Sequence, residues 1–110
     1  MPQRTVFFVS DQTGVTAETL GHALLTQFDG LEFRPVTVPF VDSVDKAEQL
    51  ARRVDATARE SGLRPIVFTS LVDERLRARL LACNARVLDF FEAFLAPLEH
   101  ELGTMSSHAL

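Results

Sequence analysis

Short apolar runs alternate with helical patterns along the whole chain, and this alternation is the feature that most constrains the fold. The first run, Val6 to Val9, is continuously apolar and stops at the polar segment Ser10-Asp11-Gln12-Thr13-Gly14. Such a run is typical of a parallel strand that is covered on both faces. Strands that alternate with helices predict βαβ units and therefore a parallel sheet.

The pattern predicts four strands and four helices. The strands are 6–9, 32–40, 65–69 and 86–90, and the helices are 17–28, 43–62, 73–83 and 92–102. Pro35 and Pro39 fall in the second strand, which belongs at a sheet edge because proline donates no ladder hydrogen bond. With right-handed crossovers this favours an open, four-stranded parallel sheet of order 2-1-3-4, with helices on both faces. The predicted fold is α/β and flavodoxin-like or Rossmann-like.

Helix boundaries follow from capping residues. Thr16 is the predicted N-cap of the first helix, with Val15 and Leu20 as its hydrophobic staple. Leu20, Leu24 and Phe28 share one face of that helix. Ser43 caps the second helix, and Pro97 should kink or restart the fourth.

Composition excludes several classes of protein. The net charge of −4 argues against a general nucleic-acid binder, which needs clustered Lys and Arg. No apolar run reaches the roughly 20 residues that span a bilayer. The N-terminus lacks a signal-peptide pattern, and the single cysteine, Cys83, fits a reducing compartment, so we expect a cytoplasmic protein. We expect one α/β domain over 1–102, and a tail or the start of a linker over 103–110.

The candidate site lies where the predicted strand order reverses, beyond the carboxyl ends of strands one and three. A phosphate could be held there by backbone N–H groups of the first loop and the first helix, with Gly14 allowing close approach. The primary candidates are Ser10, Asp11, Thr13, Gly14 and Thr16, and the supporting candidates are Asp42, Ser43, Thr69, Ser70 and Asp73. These loops contain no Lys or Arg. The alternative is that all of these residues are ordinary turn and cap residues.

Other chemistries fit the sequence less well. An aspartyl phosphatase normally has a second carboxylate two residues after the first, where this chain has Thr13. A receiver domain needs an acidic pair after strand one and an Asp at the end of strand three, where this chain has Asp11 alone and Thr69. Neither G-x-G-x-x-G nor G-x-x-x-x-G-K-[ST] occurs. The histidines have no metal spacing, so no metal site is expected, and Cys83 is expected to be a small core residue.

Four segments carry a family resemblance. VFFVSDQTGVTAETLGHALLTQF, VPFVDS, RPIVFTSLVD and APLEHELGTMSSH resemble the N-terminal part of the phosphoenolpyruvate synthase regulatory proteins, which are related to the pyruvate, phosphate dikinase regulatory proteins. S-D-x-T-G-x-T-A-E is the most specific piece. Gln12 departs from the pattern, which usually has a glycine or another small residue there, and this puts the customary loop conformation in question.

The resemblance implies a bifunctional enzyme. Members phosphorylate a threonine of the synthase with ADP as donor, and remove that phosphate with inorganic phosphate, releasing pyrophosphate. The family's P-loop lies in a C-terminal half that this sequence does not include, so we expect this chain alone to be inactive and to bind no cofactor tightly. Magnesium is possible, a homodimer is expected, and the partner is the synthase or the dikinase.

Four questions stay open at this point. The sequence can be a fragment or a natural product, and the target can be the synthase or the dikinase. The first loop can contact nucleotide, the target threonine or neither. From a different class of function, the chain could be a non-catalytic docking or dimerisation module.

Overall fold

The computed structural model describes residues 3–107 and contains one parallel sheet with helices on both faces. The strands are β1 (Arg4–Val9), β2 (Phe33–Val38), β3 (Ile66–Thr69) and β4 (Arg86–Asp89), and the helices are α1 (Val15–Leu25), α2 (Val44–Ser61), α3 (Glu74–Leu81) and α4 (Ala96–Leu102). A π-helical segment, Phe91–Leu95, joins β4 to α4. The sheet order is β2-β1-β3-β4 and all its pairings are parallel. The predicted fold class, strand order and edge position of β2 are confirmed.

Alternation along β1 separates two cores. Phe7 and Val9 point to the face covered by α2 and α3, where they join Val54, Leu71 and Leu80. Val6 and Phe8 point to the opposite face, where they join Ala17 of α1, Phe68 and Phe90. The central strands β1 and β3 therefore contribute side chains to the cores on both faces of the sheet, as the continuous apolar run predicts.

Helix α1 differs from the sequence-based expectation in its start and in its buried face. It begins at Val15 with Gly14 as N-cap, so the prediction of Thr16 as the cap is wrong. Its buried residues are Ala17 and Gly21, whereas Leu20, Leu24 and Phe28 are exposed. The physical reason is space, because a Cβ on Gly21 would lie 2.3 Å from Cε1 of Phe8. The Phe8 and Phe68 rings fill the gap above the sheet and leave room only for small helical residues.

Helix α2 keeps its predicted cap, and α4 starts where the proline predicts. The Ser43 hydroxyl accepts a hydrogen bond from the Lys46 N–H at 3.2 Å, and α2 ends at Gly62 in the left-handed conformation, with φ +71°. Helix α4 restarts at Ala96, immediately before Pro97, as the proline predicts. Of the predicted tail at 103–110, residues 108–110 lie outside the described part of the chain.

Candidate functional site

The first loop is fastened to the loop that follows β2. The Ser10 N–H donates to the Val38 carbonyl at 3.2 Å, and the Val41 N–H donates to the Ser10 carbonyl at 2.9 Å. The Phe40 N–H donates to the Gln12 carbonyl at 2.8 Å, and the Gln12 N–H donates to the fully buried Ser10 hydroxyl oxygen at 3.0 Å. Both loops therefore form one hydrogen-bonded unit at the carboxyl edge of the sheet.

Gln12 fits this unit without strain. Its φ is not positive, and the non-glycine residue with positive φ in the described chain is Phe40, at 59°. Glutamine is therefore compatible with the backbone at this position, and the side chain is exposed.

Gly14 sets the start of α1. Its φ of +87° favours glycine, and a Cβ there would lie 3.0 Å from Cγ2 of Thr37. No side chain in the described part of the chain caps the helix, so its first-turn N–H groups keep their capacity to bind an acceptor. Thr13 and Thr16 are exposed around this turn. The helix start is therefore open to an anion, which its dipole also favours.

Two buried polar atoms at the same edge have no hydrogen-bond partner among residues 3–107. They are Oδ1 of Asp11 and the hydroxyl oxygen of Ser70, whose residue is only 1% exposed. An unpaired buried polar group costs about 1 to 3 kcal/mol, so native proteins contain few of them. Their shared position at a sheet edge where ligands bind points to a binding role.

The register places Ser70 beneath α1. Val9 pairs with Thr69 in the parallel ladder, and the Ser70 N–H donates to the Val9 carbonyl at 3.1 Å, so Ser10 and Ser70 are neighbours. Phe8 and Phe68 face α1, and side chains two residues further along a strand point to the same side. Ser10 and Ser70 therefore share the face on which α1 begins.

Most supporting candidates have structural roles instead. The Thr69 hydroxyl oxygen accepts from the Leu71 N–H at 3.1 Å, and Asp73 caps α3 by accepting from the Arg75 N–H at 2.8 Å. The Arg75 side chain also bonds to Asp73 and lowers the pKa of that carboxyl to about 2. Thr69, Ser43 and Asp73 are therefore accounted for as turn and cap residues.

Cations reach this edge although the loops contain none. Lys46 Nζ lies 2.8 Å from Oδ1 of Asp42 and 3.2 Å from the Phe40 carbonyl oxygen, and this bonding lowers the pKa of Asp42. Arg77 lies 3.1 Å from Oδ2 of Asp89, the last residue of β4. The loops themselves contain no cation, but Lys46 of α2 and Arg77 of α3 extend back to the carboxylates of this edge. The i,i+4 spacing of Asp42 and Lys46 is the sequence signal that could have shown this.

Within residues 3–107, no group of three or more His, Cys, Asp or Glu side chains could hold a metal ion. Magnesium often binds through one or two carboxylates together with substrate phosphates, so Asp11 could supply one ligand only beside a phosphate. Burial raises the pKa of the Cys83 thiol, which packs against the α2–α3 core as a small residue.

A separate cavity of about 430 Å³ lies at the opposite, amino-terminal end of the sheet, between Gln3, Leu31 and Leu63. It does not touch the loops that follow the strands. We place the candidate site at the carboxyl edge because ligands of open parallel sheets bind there, and because the unpaired polar atoms lie there.

The fold and its polar edge define an open parallel α/β domain of the kind that holds ligands beyond its strands. Residues 6–110 match the model of the kinase/pyrophosphorylase family, and the chain belongs to that family. It is 54% identical over 109 residues to a relative from Aromatoleum aromaticum and 50% identical over 108 residues to one from Alcanivorax borkumensis. Both relatives are named as phosphoenolpyruvate synthase regulatory proteins.

These matches cover 99% and 98% of this chain but only 39% and 40% of the relatives. The chain therefore spans about two fifths of the length of the curated relatives it matches. Among the described residues, no helix is both long and apolar enough to cross a membrane.

Proposed function

We propose that this chain is the N-terminal module of a bifunctional enzyme that regulates phosphoenolpyruvate synthase. In one direction the complete enzyme transfers the β-phosphoryl group of ADP to a threonine of the synthase, which leaves AMP. In the other, inorganic phosphate takes that phosphoryl group from the threonine and leaves as pyrophosphate. The family membership, the names of the relatives and their greater length support this proposal.

One observation carries the contribution of this module. The unpaired Asp11 and Ser70 atoms lie at the same sheet edge as the uncapped start of α1. Serine hydroxyls and helix N–H groups are donors for phosphate oxygens, and a carboxylate accepts from a hydroxyl or binds a phosphate-bound cation. The module therefore has the groups to help position a phosphate, with Lys46 close by as a cation paired to Asp42.

The module does not hold all the parts that phosphoryl transfer needs. The sequence contains no G-x-x-x-x-G-K-[ST] motif, whose lysine and hydroxyl hold phosphates and magnesium in many enzymes of this kind. The 110-residue chain alone is therefore inactive in this proposal. The proposed enzyme acts in the cytoplasm as a homodimer.

A chimera tests this proposal. The 110-residue chain replaces the matching part of the Aromatoleum aromaticum relative, and transfer of label from β-labelled ADP to the synthase is measured beside release of pyrophosphate. The chimera and the relative should perform both reactions, and the chain alone neither. Activity of the chain alone, or a folded but inactive chimera beside an active relative, would contradict the proposal.

A non-catalytic docking module is the second candidate, and the outer face of α1 favours it. Leu20 and Leu24 of α1 are 42% and 46% exposed, and Phe28, beyond the end of the helix, is 58% exposed. Exposed apolar side chains that lie together often mark a contact with another protein. If the chimera is inactive and Leu24→Glu abolishes binding of this chain to the synthase, the docking function replaces the enzymatic one.

A further inference from the structure

The carboxyl edge of the sheet beside the start of α1 combines donor groups with one acceptor. The donors are the first-turn N–H groups of α1 and the Ser70 hydroxyl, and the acceptor is the unpaired Oδ1 of Asp11. A carboxylate accepts hydrogen bonds but donates none. An oxyanion without a proton would place an acceptor against the Asp11 acceptor, whereas an oxyanion that carries a proton would donate a hydrogen bond to Oδ1 of Asp11.

We infer that this edge is a phosphate-selective subsite that binds hydrogen phosphate and rejects sulfate. The choice of inorganic phosphate rests on the proposed phosphorylase function, which consumes it. At neutral pH inorganic phosphate keeps at least one proton and sulfate keeps none. Both ions have nearly the same size and shape, so the Asp11 carboxylate is the element that distinguishes them.

Entry of the ion requires a small movement of the first loop. Oδ1 of Asp11 and the Ser70 hydroxyl are closed to solvent, and Gln12 is held by hydrogen bonds to Ser10 and Phe40. The exposed pair Gln12 and Thr13 is the part of the loop that can shift outward. Because the Gln12 bonds must open, affinity is weak, and the Phe40 amide reports the movement through its bond to the Gln12 carbonyl.

The test is a titration of the ¹⁵N-labelled 110-residue chain with phosphate and, separately, with sulfate at equal ionic strength. Phosphate should shift the amides of residues 14–17 and of Phe40 with an affinity in about the millimolar range, and sulfate should bind about tenfold more weakly. Equal binding of both ions, or no shift at these amides, would overturn the inference. So would shifts confined to the arginines of α2 and α3.

Two variants separate the roles of the groups. Asp11→Asn supplies an amide donor in place of the carboxylate, so the preference for phosphate over sulfate should fall from about tenfold to near one. Ser70→Ala should weaken phosphate binding about threefold to tenfold and keep the selectivity. Asp29→Asn, an exposed carboxylate in the α1–β2 connection, is the matched control and should change neither. An Asp11→Asn chain that still rejects sulfate would overturn the role given to Asp11.

A titration with O-phospho-L-threonine tests whether the subsite binds a phosphorylated threonine side chain rather than inorganic phosphate. Weaker binding than that of inorganic phosphate supports the inference, and tighter binding would overturn it in favour of the phosphorylated side chain. These titrations involve no catalysis. If the chain prefers phosphate over sulfate but the chimera is inactive, the proposed enzymatic function is wrong and the subsite stands. If the chimera is active but the chain does not prefer phosphate, only the subsite is wrong.

Discussion

Single residues at the carboxyl edge divide into those with partners and those without. Thr69 and Ser70 are adjacent and equally buried, yet only the Thr69 hydroxyl oxygen has a partner, the Leu71 N–H. Thr69→Val should lower the free energy of unfolding by about 1 to 3 kcal/mol, because it leaves a buried N–H unpaired. Ser70→Ala should be neutral or stabilising. Urea denaturation measures both, and an equal loss in Ser70→Ala would show that Ser70 has a structural role.

The pKa of Asp73 predicts a pH dependence of stability. Bonding to Arg75 lowers the pKa in the folded chain from 3.8 to about 2, so the stabilisation is complete above 3.8 and is lost as the pH falls towards 2. Asp73→Ala should therefore lower the melting temperature at neutral pH, and its difference from the unmodified chain should shrink through this range. Asp73→Asn keeps a side-chain oxygen that can cap the helix, so its melting temperature should fall less than that of Asp73→Ala. A difference that is constant with pH would contradict the assignment.

At the residue scale, the sequence predicted which residues meet at the carboxyl edge better than it predicted their roles there. Polar residues after apolar runs indicated the edge, because strand ends meet there in any parallel sheet. Which hydroxyl is unpaired depends on register and rotamer, so Ser70 could not be distinguished from Thr69. Gly14 replaced Thr16 as the cap because the loop enters the helix with a positive φ, which residue types alone did not reveal.

Among the elements, α1 offers the sharpest packing test. A Cβ on Gly21 would lie 2.3 Å from Cε1 of Phe8 and 3.0 Å from Cδ2 of Phe68. Gly21→Ala should therefore destabilise the chain by about 1 to 3 kcal/mol, although alanine normally favours a helix by about 1 kcal/mol over glycine. Thr19→Ala on the exposed side of α1 is the control and should change stability little. A Gly21→Ala chain more stable than the parent would show that α1 does not lie on these rings.

The elements themselves were largely predictable, and their faces were less so. Pro35 identified the edge strand, because proline donates no ladder hydrogen bond. The alternation of strand patterns with helix patterns along the chain identified the βαβ order. The periodicity of α1 indicated a face with Leu20 and Leu24, but the sheet below it carries phenylalanine rings. Packing across the sheet depends on residues distant in sequence, so helical periodicity alone placed the wrong face inward.

At the scale of the molecule, exposed apolar surface predicts self-association. Phe94, Leu98 and Leu102 are 57%, 52% and 71% exposed on the π-helical segment and α4, and β4 is an edge strand. Phe90 does not contribute to this surface, because it is buried between Phe68 and Phe94. Light scattering should show a mass that increases with concentration, and Leu98→Glu should reduce that increase. A strict monomer at high concentration would contradict this prediction.

The central claim is that the sheet edge at the start of α1 binds phosphate in a kinase/phosphorylase. The most direct test measures the rate of pyrophosphate release by the chimera as the phosphate concentration is varied. Asp11→Asn and Ser70→Ala should each raise the KM for phosphate about threefold or more. Asp29→Asn should leave it unchanged. Chimeras that keep the parental KM for phosphate after both edge substitutions would contradict the claim.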